Sequence, residues 1–319
     1  MIEDHFLGLG PHGFHRIAYT EWGNAANAHV VICVHGLTRN GRDFDALAQG
    51  LQRHCRVVCM DVVGRGRSDW LKHHGDYTFR QYQTDAAALI ARVTHPRAQS
   101  APAQWLQALK PSPNAALDWI GTSMGGLIGM LLAAQPGSPI RRLVLNDVGP
   151  FIPWGALIRL KANLTASSRF ASLSEVEAML RQACAQWGPL TDEQWHHLAE
   201  HSVQRVDGGF ILACDPAVAV ATAWGWSPDS KLGNRNLLGL ELWSVWQAVR
   251  CPTLVLRGAD SEVLTPDTVA RMQERGPRTK VVELPGIGHA PSLMAADQIA
   301  VIQDFLTEED EEEPGKRES

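Results

Sequence analysis

The stretch Leu117-Asp118-Trp119-Ile120-Gly121-Thr122-Ser123-Met124-Gly125-Gly126 constrains this chain more than any other. A short apolar run that suits a buried strand stops at Gly121. A small-residue helical pattern, Leu127 to Ala134, begins just after Ser123, so the serine falls on a strand-to-helix turn as G-x-S-x-G. Side chains two residues either side of such a turn would collide, which is why glycines stand there. The helix behind the serine aims free N–H groups and its positive dipole end at the hydroxyl, making the Met124 N–H a candidate donor to a developing negative charge. The alternative for the pentapeptide alone is a serine that merely caps a helix, so its partners must decide.

The 319 residues suffice for one large α/β domain or a domain carrying a substantial insertion. The net charge of −5 resides in Glu308–Ser319, where seven acids face Lys316 and Arg317, and the rest of the chain is balanced. Nothing therefore points to a nucleic-acid or membrane partner, and a small molecule is the expected one. No apolar run approaches signal-peptide or membrane-spanning length, so a cytoplasmic protein is expected. The six cysteines lack Cys-x-x-Cys spacing and read as reduced core thiols.

Gly8-Leu9-Gly10-Pro11-His12-Gly13 matches G-x-G-x-x-G, but no strand is read before it and Pro11 interrupts it, which argues against a dinucleotide site. His15 to Trp22 alternates like a strand, and His29 to Val34 is a continuous apolar run ending in His35-Gly36-Leu37-Thr38. A strand ending in His-Gly can turn the Leu37 N–H towards the place Ser123 points, as a second oxyanion donor. Asp43 to Leu51 follows as a short helix, then the strand Arg56 to Met60. The loop Asp61 to Asp69 is rich in glycine and arginine, lacks the ending of a phosphate loop, and reads as a structured turn. Tyr82 to Val93 is helical, 94–114 a surface insertion with one short helix near Gln104–Leu109, and Arg142 to Leu145 a strand ending in Asn146-Asp147. This alternation predicts a mostly parallel sheet with helices on both faces.

The rhythm breaks over 151–247, which reads as a helical insertion holding seven of the eleven tryptophans. There His197-Leu198-Ala199-Glu200-His201 matches H-x-x-E-H, but no third ligand is evident, and no metal or cofactor is expected. Strands resume at Thr253–Gly258 and Lys280–Leu284. A glycine-flanked loop, Pro285 to Pro291, then carries His289, and the helix Ala296–Leu306 closes the domain. The expected organisation is 1–150 and 248–306 as two parts of one core, 151–247 as a lid, and 307–319 as a disordered acidic tail.

A serine needs a base, and imidazole has the suitable pKa. His289 follows both the serine turn and an acid-bearing strand end, giving the order serine, acid, histidine. From about His15 to Leu306 the chain resembles the α/β-hydrolases, in particular their lidded esterase, lactonase and carbon-carbon hydrolase branch. The likeness rests on the His35-Gly36 loop, the Gly121–Gly125 turn, the Leu254–Gly258 strand end and the Gly288-His289 loop. It implies Ser123 as nucleophile, His289 as general base and acid, and Gly36, Leu37 and Met124 at the oxyanion site. For the acid, counting back from Pro266 selects Glu262, residue type favours Asp260, and Asp147 is a third candidate from relatives that place the acid there; Glu262 is the one carried forward. The expected activity is hydrolysis of small or medium apolar carboxylic esters through an acyl-enzyme, with lactones or hydroxyalkanoate oligomers among the substrates. A carbon-carbon hydrolase, wanting a cation such as Arg39, Arg159 or Arg181 over the site, and a ligand receptor on the same fold are the other readings.

Overall fold

Three of the apolar runs, His29–Val34, Arg56–Met60 and Ala116–Thr122, lie side by side, and around them the sheet is built. A computed structural model of the chain describes residues 1–94, 116–162, 169–218, 234–235 and 239–308. Its strands are β1 (Ile2–Gly10), β2 (Gly13–Trp22), β3 (His29–Val34), β4 (Arg56–Met60), β5 (Ala116–Thr122), β6 (Ile140–Asn146), β7 (Phe151–Pro153), β8 (Arg169–Phe170), β9 (Val203–Val206), β10 (Gly209–Leu212), β11 (Asn234–Arg235), β12 (Gly239–Glu241), β13 (Thr253–Gly258) and β14 (Thr279–Leu284). Eight of them form one sheet in the order β1-β2-β4-β3-β5-β6-β13-β14. β1, β2 and β4 pair antiparallel, and every pairing from β4 to β14 is parallel. The predicted α/β fold with a mostly parallel sheet is thus the fold of the chain.

Continuous apolar sequence suits strands covered on both faces. Val30, Ile32 and Val34 join one core cluster, with Trp119 and residues of the helices Phe79–Thr94 and Met124–Ala133. Val31 and Cys33 join the opposite one, with Leu47 and Leu51 of Asp45–Leu51 and Ile302 and Phe305 of Ala296–Thr307. Each such residue is fully or almost fully buried, worth ~1.5–3 kcal/mol against exposure. The chain runs from β3 outwards to β4 and then crosses back to β5 on the other side of β3. The carboxyl ends of β3 and β5 therefore flank a point where the connections diverge, the usual place for a site in an open parallel sheet.

Two readings of the sequence are corrected. A strand does precede the G-x-G-x-x-G: β1 runs to Gly10, and Gly10↔Gly13 closes the β1–β2 hairpin, so the glycines serve an antiparallel turn rather than the entry to a helix. The insertion is not all helix. Beside the helices Trp154–Ala162, Leu173–Ala183, Asp192–His201 and Trp243–Ala248 it holds two three-stranded sheets, β8-β10-β9 and β11-β12-β7. β9 and β10 are joined by Asp207-Gly208, with Gly208 at φ 75°, a hairpin signal between strands of four residues each that hydrophobic periodicity does not reveal. The segment 94–114 lies outside the described residues except for Thr94, as do Trp224, Trp226 and the tail beyond Glu308.

Candidate active site

Ser123 has φ 51° and ψ −114°, a backbone conformation unfavourable for a residue with a side chain. Its surroundings force that turn. A Cβ at Gly125 would lie 1.9 Å from the Val34 carbonyl oxygen, and one at Gly121 would lie 2.3 Å from the Gly125 carbonyl. The Ser123 N–H donates to the Asn146 carbonyl (3.0 Å), while the Ser123 carbonyl accepts from Gly126 and Leu127 (2.9 and 3.1 Å). The Trp119 indole N–H donates to the Gly125 carbonyl at 3.0 Å, locking the helix start to β5. With the turn held this way the hydroxyl stands clear of the sheet.

Two strand ends bring the partners. His289 Nε2 lies 2.9 Å from Ser123 Oγ, and its Nδ1 lies 2.7 Å from Asp147 Oδ2. A carboxylate only accepts, so Nδ1 carries the proton and donates to Asp147, leaving Nε2 to accept the serine's. Asp147 is fully buried, directly after β6, at φ 55°, where aspartate is among the few tolerated residues. Its Oδ1 accepts the Gly258 N–H (2.9 Å) and its Oδ2 the Ser261 hydroxyl (2.5 Å). The His289 loop is fastened by the Gly288 N–H to the Gln186 carbonyl (2.8 Å) and by Asn146 Nδ2 to the Pro291 carbonyl (2.9 Å).

The carboxylate beside the histidine is therefore Asp147, and neither Glu262 nor Asp260. The loop after β13 folds so that Ser261, only 6% exposed, faces inwards, which turns its two acidic neighbours outwards. Asp260 is exposed, and Glu262 ion-pairs with Arg159, both partners being more than half exposed. Ser261, which steadies the aspartate, has no signature in the sequence, because a hydroxyl between two acids in a strand-end loop gives no signal by itself.

The loop after β3 approaches closely: a Cβ on Gly36 would sit 3.7 Å from that of Ser123. His35 is fully buried, its Nδ1 bonded to the Gly36 carbonyl (2.6 Å) and its Nε2 accepting the Val62 N–H (3.0 Å). That burial, with the positive charges of Arg65 and Arg39 nearby, depresses its pKa to about 3, so it is a neutral strut. Met124 is the first residue of its helix, where an N–H has no intrahelical acceptor.

Ser123 and His289 open onto a cavity of about 720 Å³, whose walls include Leu37, Arg39, Trp70, Met179, Trp187 and Leu212. Of the cations considered, Arg39 and Arg159 reach this cavity, but Arg39 is bonded to Asp43 and Ser202 and stacked on Trp187, and Arg159 is paired with Glu262. Arg181 pairs with Glu177 and Asp192 instead. Of the inserted tryptophans, Trp195, Trp243 and Trp246 are buried in cores, while Trp187 faces the cavity. The H-x-x-E-H histidines are engaged locally, His197 with the Arg42 carbonyl and His201 with that of His197. Among the described residues no group of three or more His, Cys, Asp or Glu is placed to hold a metal ion.

The profile of the alpha/beta hydrolase fold matches residues 29–295, and the chain belongs to that family. It is an ester hydrolase on that fold, the activity its sequence led us to expect. Over 305 residues it is 41% identical to a protein of Cupriavidus necator named 3-hydroxybutyrate-oligomer hydrolase, covering 94% of this chain and 95% of the relative. An esterase of Mycobacterium tuberculosis is 24% identical over 276 residues, 84% of this chain and 78% of that protein. Among solved structures, a putative hydrolase from Rickettsia typhi superposes with a TM-score of 0.82 at 28% identity, covering 97% of this chain and all of that one. No helix among the described residues is long and apolar enough to cross a membrane.

Proposed function

We propose that the chain is a serine esterase that cleaves short hydroxyalkanoate oligomers, with Ser123, His289 and Asp147 as its catalytic triad. The observation that carries this reading is the unbroken line of hydrogen bonds from Ser123 through His289 to Asp147 at the wall of the cavity. His289 Nε2 takes the serine proton as Oγ attacks the ester carbonyl. The imidazolium that results is stabilised by Asp147 through Nδ1, and the N–H groups of Leu37 and Met124 receive the oxyanion. His289 then protonates the leaving alcohol. Water, deprotonated by the same ring, releases the acid and restores Ser123.

A 3-hydroxybutyrate oligomer is a chain of short ester-linked units ending in a carboxylate, and the cavity has room for a few such units between apolar walls. The identity shared with the Cupriavidus necator protein over nearly the whole of both chains supports this substrate class. Residues 151–247 act as a lid in this reading, since Met179, Trp187 and Leu212 supply cavity wall. A cytoplasmic setting belongs to the same proposal and is motivated by six free cysteines, four of them buried.

Hydrolysis of the 3-hydroxybutyrate dimer, trimer and tetramer, followed by chromatography beside aryl esters from acetyl to decanoyl, tests the reading. Turnover of dimer and trimer that vanishes in Ser123→Ala is expected, with aryl esters peaking at short to medium acyl length. A folded enzyme that cleaves the aryl esters but none of the oligomers would sink the substrate assignment.

A further inference from the structure

The arginine-rich loop after β4 does not bind phosphate in the proposed function, and its most buried member is still unexplained. Arg65 has no exposed surface. Its Nε donates to the Leu37 carbonyl (2.8 Å), Nη1 to the Val63 carbonyl (2.7 Å), and Nη2 contacts Met124 Sδ at 3.4 Å. The guanidinium lies over the rings of Tyr82 and Tyr77, 4.9 and 5.9 Å from their centroids. Among the described residues no carboxylate comes within ion-pairing distance of it; the nearby Asp215 is taken up by the Tyr77 hydroxyl (2.6 Å) and the Ala217 N–H (2.9 Å). A buried charge held by carbonyls, a thioether and π faces alone is expensive and calls for a compensating use.

The loop is shaped to deliver this one side chain. Gly64 and Gly66 take φ 85° and 55°; a Cβ on the first would strike the Tyr77 ring at 2.6 Å, and on the second the Asp61 carboxyl at 2.4 Å. The loop is stitched to the insertion by the Gly66 N–H to Ala213 (2.7 Å) and the Asp215 N–H to Gly64 (2.8 Å). Arg65 reaches the two residues whose N–H groups form the proposed oxyanion site, and it does so from behind the cavity wall, where substrate cannot touch it.

We infer that Arg65 is a positioning residue for that site. It fixes the Leu37 turn and the Met124 side chain with one planar fork, and its charge, shut away from bulk solvent and without a direct ion-pair partner among the described residues, favours the anionic tetrahedral species over the neutral ester. The inference rests on the triad reading above. Its effect belongs on kcat and on binding of a transition-state mimic, with little on ground-state affinity.

The test measures kcat, KM and the Ki of an aryl trifluoromethyl ketone, which adds to a serine as an oxyanion, for wild type, Arg65→Met and Arg65→Lys. Rates are normalised to sites titrated to completion with an aryl phosphonate, so loss of folded enzyme does not count. Arg65→Met is expected to lower kcat by roughly 30–100-fold and raise Ki by the same factor, with KM within about threefold. Arg65→Lys keeps a cation but lacks the fork, and kcat and Ki should move together by roughly 3–10-fold; it serves alone if the Met variant does not fold. Either variant near wild-type kcat and Ki, or a fall in kcat with Ki unmoved, overturns the inference. Ser123→Ala runs alongside: residual turnover there, with a wild type insensitive to the ketone, would instead overturn the triad reading.

Discussion

Replacing Asp147 by asparagine should cost the enzyme about 10³–10⁴-fold in kcat, equivalent to ~4–5.5 kcal/mol of barrier at 1.36 kcal/mol per tenfold. The loss follows from what each oxygen of the carboxylate does. Oδ1 accepts the Gly258 N–H, and an amide oxygen can keep that bond. Oδ2 accepts from both the Ser261 hydroxyl and His289 Nδ1, and an amide NH₂ there has nothing to accept with. Facing a donor, the imidazole moves its proton to Nε2, the nitrogen 2.9 Å from Ser123 Oγ, and the base is gone. The fold should survive, because asparagine is at ease at φ 55° and the shape is unchanged. The assay is steady-state hydrolysis of an aryl butyrate, with urea unfolding as the control, beside Glu262→Gln and Asp260→Asn. Both surface acids are free of His289, so each variant should stay within about twofold of wild type. If Asp147→Asn keeps more than a tenth of wild-type kcat while Glu262→Gln falls a thousandfold, the reasoning is wrong.

Three further outcomes follow from the same geometry. Gly125→Ala drives a Cβ to 1.9 Å from the Val34 carbonyl oxygen, so it should destabilise the protein by at least ~3 kcal/mol in urea and abolish turnover; a stable, active variant would show that the turn is not held as described. His35 is neutral in the fold down to about pH 3 but gains a proton near 6.5 when unfolded, so its contribution is full above 6.5 and declines as pH falls towards 3. His35→Asn should flatten the acid-side fall of unfolding free energy by up to about 1.4 kcal/mol per pH unit, and equal slopes in the two proteins would rule out a buried neutral histidine. Trp187→Ala removes an aromatic wall of the cavity and should raise KM roughly 10-fold for hexanoyl aryl esters while leaving acetyl esters within about twofold; a uniform rise would mean that the ring supports the fold and not the acyl chain.

Much of this architecture is legible in the sequence, and the failures have physical causes. β4 and β13 have the ends predicted for them, because each is an apolar run bounded by charge or glycine and buried on both faces. Ser123 and His289 stand out because a strained turn and a glycine-flanked loop each leave local signatures. The acid partner leaves none. Counting residues back from Pro266 assumes a loop of standard shape, whereas here the extra residue puts a hydroxyl inside and both acids outside, and the buried carboxylate is supplied by β6. β1 leaves no strand signal because its inward face carries little more than Phe6 and Gly8, while Leu7 and Leu9 are exposed. Arg65 reads from sequence as one more cation in a loop; only the fold reveals that it is enclosed, and against what.

The central claim is that Ser123 carries the acyl group, and it can be tested by rapid acid quench of wild type mixed with an excess of aryl 3-hydroxybutyrate, followed by peptide mass analysis. The account predicts a burst of aryl alcohol matching the enzyme concentration, with the 3-hydroxybutyryl mass added to the peptide that contains Ser123 and absent in Ser123→Ala. A burst with the acyl group on another residue, or undiminished turnover by Ser123→Ala, would contradict it.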